Sequence, residues 1–382
     1  MDVAAAEPLA TGAPAVKVLH VQRIGGIGGS ERHMLELLPA LRERGIDARF
    51  LGLDDTGAAP EPFYVALADR DVPFERLPCP RDVDPLLARR LVRAIRSKGP
   101  DIVHTHLVHA DVYGAVAAAR ARAVLVSTKH NDDPFRSGKG RHLERLLTRR
   151  AALVICITEA LARFNRDVVG LPGEKLRVVH YGLDAPPEPW GPPGGPDLAP
   201  GTPVLVAVSR LVEQKGIDVA VDALALVRER HPAAHLVVLG EGPLRSELTE
   251  LAARRGVADA VSLPGRVGDV AWWLRRANVV VHPARWEGFG LALLEAMLCE
   301  RPIVATKVSS IPEIVVDPET GLLVAPDDPG ALAEAVTTLL DDPARAAEMG
   351  EAGGAWARTE FSVARMAGRT AVLYEEALTP RR

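Results

Sequence analysis

The chain has 382 residues, more than one ordinary domain holds, so two domains are expected. It is 47% hydrophobic but only 4% aromatic, which leaves Ala, Val and Leu to fill the cores. A formal net charge of −4 gives no overall pull toward nucleic acid, and no nucleic-acid-binding signature is present.

The N-terminal stretch MDVAAAEPLATGAPA lacks the basic flank and long apolar core of a signal peptide, and residues 1–14 read as a disordered tail. No apolar run approaches the ~20 residues that span a bilayer, so a cytoplasmic protein is expected. Cys79, Cys156 and Cys299 are isolated from one another and read as small buried hydrophobes in a reducing compartment.

Short β-branched runs then alternate with helical patterns. VKVLHV (16–21) precedes a helix from about Ser30, and DIVHTH (101–106), AVLVST (123–128) and LVICIT (153–158) follow in the same style. Strands this uniformly apolar, separated by helices, predict parallel sheets covered on both faces. The pattern stops in DAPPEPWGPPGGPDLAPGTP (184–203), a Pro/Gly-rich linker. It restarts with VLVAVS (204–209), HLVVLG (235–240), VVVHPA (279–284) and PIVAT (302–306). The expected fold class is α/β: two Rossmann-like, doubly wound parallel-sheet domains, 15–184 and 204–360, joined by residues 185–203. A final helical pattern, roughly Phe361 to Leu378, can pack on either.

Open parallel sheets bind ligands beyond the carboxyl ends of their strands. Two such sheets facing across a cleft place the chemistry in the loops after the strands. RIGGIGGSERH follows the first strand; its glycines, Gly28 and Gly29 among them, permit close backbone approach, and the next helix aims free N–H groups at an anion or sugar. It does not match the dinucleotide fingerprint, and glycine turns also arise for steric reasons alone. In VAVSRLVEQKGID, Arg210 and Lys215 follow the first strand of the second domain, where two cations can clamp a diphosphate. In HPARWEGFGLALLEAM, Glu287 precedes a glycine-broken turn. The amides of Phe289, Gly290 and Leu291 open a helix, and Glu295 lies inside it. This arrangement suits a nucleotide sugar, with phosphate at the helix tip and one carboxylate for each sugar. His130, in STKHNDDP, stands where a first-domain strand ends.

Three further segments carry competing readings. RDVDP (81–85) contains a formal D-x-D, yet Asp84 followed by Pro85 and LLARRLVRAI reads as an N-cap with proline at the first helical position. HTHLVHAD (104–111) raises a metallohydrolase, because His104 and His106 share a strand face; His109 lies beyond the strand and no second ligand cluster appears, so no metal is expected and His106 is placed on the acceptor side. RSGKGRHLERLLTRR (136–150) sets six Lys/Arg against one Glu, with Leu143, Leu146 and Leu147 on one helical face. It reads either as a helix packing those leucines inward or as a peripheral contact with an anionic membrane surface at the inner membrane face.

EGFGLALLEAM joins SRLVEQKG, GEGP (240–243), LPGRVGDV (263–270) and IPEIVVDPETGLLVAPDD (311–328), and together these resemble the retaining glycosyltransferases of family 4, which have the GT-B fold. The resemblance is specific over 204–350 and looser through 16–184. It implies that Arg210 and Lys215 bind the donor diphosphate, that Glu295 holds the ribose, and that Glu287 holds donor-sugar hydroxyls. It further implies backbone contacts from Phe289 to Leu291 and from Val267, approach of Gly29 to the donor phosphate, and His130 near the transferred sugar. Residues 15–184 become the acceptor domain with the terminal helix 361–378, and 204–360 the nucleotide-sugar donor domain. The family often has Gly-Gly where this chain has Ser309-Ser310, and a small residue plus Gly where it has Cys299-Glu300-Arg301. The expected activity is metal-independent, cofactor-free transfer from a UDP- or GDP-sugar to a hydroxyl acceptor. A nucleotide-sugar epimerase of the same fold and a non-catalytic donor-binding subunit are the alternatives.

Overall fold

The computed structural model describes residues 15–55, 60–79, 84–132, 138, 140–186 and 194–379. The expected 1–14 tail, Asp82 of the D-x-D, residues 187–193 of the linker, and Arg136 and Lys139 lie outside them. The chain forms two compact units, residues 1–182 with 362–382, and residues 183–361.

The first unit is built on a seven-stranded parallel sheet. Its strands are β1 (Lys17–Ile24), β2 (Asp47–Asp55), β3 (Phe74–Cys79), β4 (Ile102–His106), β5 (Val124–Lys129), β6 (Leu153–Cys156) and β7 (Leu176–Val178). Their spatial order is β3-β2-β1-β4-β5-β6-β7, so the direction of winding reverses between β1 and β4. β4 and β6 are buried along their whole length, which is why they read as unbroken apolar or small-polar runs. The terminal helix Val363–Leu378 belongs to this unit, with Met366, Leu373 and Tyr374 in the same core as Val18, Met34 and Phe50. Ser362 caps it, accepting from the Arg365 amide at 3.3 Å. Asp84 caps the helix Pro85–Lys98, accepting from the Leu86 amide at 2.8 Å, as its proline-led sequence predicts.

This unit also buries a charge. Lys129 is 1% exposed, its ammonium 2.7 Å from Asp111 Oδ2 and in contact with Glu144. Thr105 and Ser127 each donate to Asp111 Oδ1 at 2.6 Å. Glu144 lies on the helix Arg141–Arg150, so this ion pair turns that helix polar side inward. Glu144 and Thr148 are buried while Leu143 and Leu146 are 37% and 55% exposed, the reverse of the inward packing of those two leucines.

The second unit carries six parallel strands: β8 (Val204–Val208), β9 (His235–Leu239), β10 (Val261–Gly265), β11 (Val279–His282), β12 (Ile303–Thr306) and β13 (Leu322–Val324). Their order, β10-β9-β8-β11-β12-β13, reverses between β8 and β11. One core of Val, Leu, Ile and Ala runs through it, including Leu205, Leu224, Leu236, Val279, Val304 and Leu339.

Removing the Lys129 ammonium leaves two carboxylates uncompensated in the interior. Lys129→Ala is expected to destabilise the first unit by roughly 3–5 kcal/mol. Urea titration against the native chain measures this.

Candidate functional site

Loops on either side of a sheet's reversal point diverge and leave a crevice at the strand ends. In the second unit those are the loops after β8 and after β11, and they hold Arg210, Lys215 and Glu287. The chain locks the two loops together. The Arg285 amide donates to Gln214 O at 2.8 Å, and Gln214 Nε2 donates to Trp286 O at 3.0 Å. The Arg285 guanidinium reaches Glu213 O at 2.8 Å, Asp218 at 2.6 Å and Asp327 at 2.7 Å. Gly216 sits in the left-handed region with φ 61°, and a Cβ there would stand 2.0 Å from Pro283 O. Only glycine lets the backbones approach this closely.

Across this seam Lys215 Nζ lies 2.5 Å from Glu287 Oε2. His282, the last residue of β11, places Nε2 3.0 Å from the same oxygen, and the Gly288 amide donates to Oε1 at 3.0 Å. Burial alone raises the Glu287 pKa, but the His282 hydrogen bond and the Lys215 charge outweigh it and bring the carboxyl down to about 2. Glu287 is therefore a fixed acceptor and not a proton donor at neutral pH. An ammonium has three N–H donors, so Lys215 can bond Glu287 and still address a ligand. The Arg210 guanidinium is exposed, and its bond to Gln214 Oε1 is long at 3.5 Å.

Ser310 fixes the Glu287 loop from the other side. Fully buried, it donates toward Glu287 O and Phe289 O at 3.2 and 3.1 Å. The turn ends in Gly290, φ 103°, which opens the helix Leu291–Leu298. Phe289 is buried with its ring 6.1 Å from Phe361, and Glu295 is 9% exposed. Val267, half-buried, follows β10, whose end is tied to β9 by the Gly240 amide donating to Gly265 O at 2.9 Å. Arg210, Lys215, Glu287 and the 289–295 segment thus gather around β8 and β11, with Val267 two strands away. Sequence reasoning assigned no role to His282, Gln214, Arg285 or Ser310. His282 stood in the quoted motif at a strand end, and that position was its one signal.

In the first unit Gly28 and Gly29 are exposed after β1, where the winding reverses. The Gly28 amide donates to Glu31 Oε2 at 2.9 Å, the backbone half of a capping box, so the helix Gly29–Glu43 already has a carboxylate at its tip. His130 is 7% exposed after β5, with Nε2 2.9 Å from His106 Nδ1 and Nδ1 bonded to Tyr181 Oη. His106 is fully buried, and so is not on a surface. Among the described residues His20, His104 and His106 could group three nitrogens around a metal, and these nitrogens lie within 4.8 Å of one another. Each ring is hydrogen-bonded to a neighbouring ring or hydroxyl. A metal would have to break those bonds.

The Glu287 carboxyl carries a pH signature. Its folded pKa lies below the ordinary 4.5, so its stabilisation is complete above about pH 4.5 and fades as the pH falls toward 2. The stability gap between the native protein and Glu287→Gln, whose pH-dependent part is roughly 3 kcal/mol by the size of the shift, is expected to be constant from pH 7 to 5 and to shrink by pH 3. Urea midpoints across that range provide the check.

The sequence matches the family model described as Glycosyl transferases group 1 over residues 196–356 and that described as Glycosyltransferase Family 4 over residues 27–185. It is 30% identical over 381 residues to alpha-maltose-1-phosphate synthase of Mycobacterium tuberculosis, covering 91% of this chain and 95% of that protein. Identity to D-inositol 3-phosphate glycosyltransferase of Pseudarthrobacter chlorophenolicus is 28% over 394 residues, covering 88% and 89%. The crystal structure of Anabaena HepE in complex with UDP and glucose matches with a TM-score of 0.81 at 23% identity, over 94% of this chain and 99% of that one, a likeness of fold. The chain belongs to the family 4 glycosyltransferases of the GT-B fold.

Proposed function

We propose that the protein is a retaining, metal-independent glycosyltransferase that moves a hexosyl group from a nucleotide diphosphate sugar to a hydroxyl acceptor. The observation that carries this reading is the Lys215–Glu287–His282 cluster at the reversal point of the second sheet, with the exposed Arg210 beside it. Parallel strands lie about 4.8 Å apart, so the ends of β10 and β11 are separated by roughly 14 Å. An extended ligand laid along those ends puts its base against Val267 and its diphosphate near Arg210, Lys215 and the 289–291 amides. Its sugar then reaches Glu287, and Glu295 meets the ribose. UDP is the favoured nucleotide, since the HepE structure holds UDP.

In this reading the anomeric C–O bond breaks as negative charge builds on the leaving diphosphate. Arg210, Lys215 and the helix amides stabilise that charge where it develops. The acceptor oxygen bonds the anomeric carbon from the same face, and its proton passes to a diphosphate oxygen. Ionised Glu287 accepts from sugar hydroxyls and holds the Lys215 ammonium in place. Fixed cations then fill the role a divalent ion would take. The resemblance to the family assigns His130 a place beside the transferred sugar.

Lys215→Ala is expected to lower kcat by about 100-fold or more while the fold persists, and EDTA to leave native turnover unchanged. Product analysis against a panel of UDP- and GDP-sugars reads both. Full activity in Lys215→Ala, or a requirement for a divalent ion, defeats the assignment.

The inverted helix Arg141–Arg150 favours a peripheral membrane contact, which would bring a lipid-linked acceptor within reach. It turns Leu143 and Leu146 outward beside the exposed Arg141, Arg149 and Arg150. Each cation near an anionic surface contributes about 1 kcal/mol. Flotation with phosphatidylglycerol vesicles is expected to carry the native protein upward. Phosphatidylcholine vesicles, or the Leu146→Asp/Arg149→Glu variant, are expected to leave it at the bottom. Equal recovery in all three eliminates the contact.

A further inference from the structure

The interior of the first unit contains a continuous run of hydrogen bonds, most of whose members have no part in the proposed transfer chemistry. It begins at Thr128 Oγ1, 2.7 Å from His104 Nε2, and continues from His104 Nδ1 to Tyr374 Oη at 2.7 Å. Tyr374 Oη lies 3.2 Å from His20 Nε2, and His20 Nδ1 lies 3.0 Å from His106 Nε2. His106 Nδ1 is 2.9 Å from His130 Nε2, and His130 Nδ1 meets Tyr181 Oη. Thr128, His104, His20, His106 and Tyr374 are each at most 2% exposed.

The connectivity has a constant sense. From His104 to His130 no ring uses the same nitrogen on both sides, and along the run Nδ1 always leads away from Thr128 on the His20–Tyr181 arm. A hydrogen bond holds one hydrogen, and a neutral imidazole supplies one donor and one acceptor. With neutral rings, only two arrangements satisfy all six links. In one, His20, His106, His130 and His104 all carry the hydrogen on Nδ1, and Thr128 donates into the run. In the other, all four carry it on Nε2, and Tyr181 donates. A mixed state leaves at least one link with two hydrogens or with none, which is costly in a buried network.

We propose that this buried run is a tautomer lock that positions His130: Thr128, His104, Tyr374, His20 and His106 together make His130 carry its proton on the same nitrogen as the other three rings and fix how its ring is turned. Burial supports neutrality. It lowers the His20 pKa to about 3 and holds His104 and His106 well below the ordinary imidazole value, while Tyr374 and Tyr181 stay protonated phenols. The run also ties His130 to the terminal helix, because Tyr374 belongs to Val363–Leu378. Since both His130 nitrogens are occupied inside the unit, the ring meets a ligand through its C–H edge or its backbone. The catalytic consequence rests on the proposed placing of His130 near the transferred sugar. The lock itself does not.

The test is the tautomeric state of the resting protein, read from imidazole 15N shifts of 15N-histidine-labelled full-length chain at pH 7, with each ring assigned by single His→Gln variants. His20, His104, His106 and His130 are expected to be neutral and to share one tautomer. In His106→Gln the signature of His130 is expected to change, and kcat to fall by about tenfold or more with donor KM little altered. Mixed tautomers among the four rings in the native chain, or an imidazolium at any of them, overturn the lock even if His106→Gln does not fold. So does stoichiometric zinc in the purified protein. A shared tautomer with unchanged kcat in a folded His106→Gln retains the lock and removes only the placing of His130 at the reaction.

Discussion

The ion pair between Lys215 and Glu287 holds together the two loops that flank the reversal point of the second sheet. Neither residue would stay in place alone. A buried carboxylate is costly unless it is paired and hydrogen-bonded, and Glu287 meets that condition three times, through Lys215, His282 and the Gly288 amide. The pairing serves both partners, because the carboxylate also holds the lysine stem at the strand ends instead of leaving it to sample solvent. Gly216 lets the backbones come near enough for it, and Arg285 and Gln214 keep them there. The surrounding apolar core supplies the stability, and the ion pair supplies the register between the loops.

The two units settle their polar interiors in opposite ways. The second keeps its charges at the sheet's carboxyl edge, where a ligand can share them. The first keeps most of its polar groups uncharged, as histidines and tyrosines linked end to end under the helices. Among the described residues its one buried ammonium, Lys129, pairs with Asp111 and Glu144 and has no part in the run of rings. That ion pair has a surface consequence, since by drawing Glu144 inward it forces the leucines of the same helix outward.

The expected α/β fold was readable from strands buried on both faces. Eight of the thirteen strands among the described residues, β1, β4, β5, β6, β8, β9, β11 and β12, stand in the sequence as apolar runs. The four edge strands do not: β3, β7 and β13 are mostly half-buried, and β10 ends in Pro264-Gly265. An edge strand has one neighbour and less to bury, so its composition approaches that of a loop. β2, an inner strand, was obscured by Arg49, Gly52 and the acidic pair at its end. The charged residues of the proposed site were legible because loops after strands are where ligands bind. Their partners were not: Lys215 and Glu287 are 72 residues apart, and Tyr374 reaches back 354 residues to His20. No local pattern encodes such pairings.

Ser310 bears on the one departure from the family pattern that touches the proposed site. Where the family pattern has two glycines, Ser309 holds a left-handed backbone, φ 46°, that glycine adopts without strain. The neighbouring hydroxyl offsets that strain by hydrogen-bonding Glu287 O and Phe289 O. A glycine pair has no such hydroxyl and leaves the turn freer to adjust. The serine ties the turn down from within the protein. The substitution therefore exchanges adaptability of this turn for preorganisation of the loop that carries Glu287.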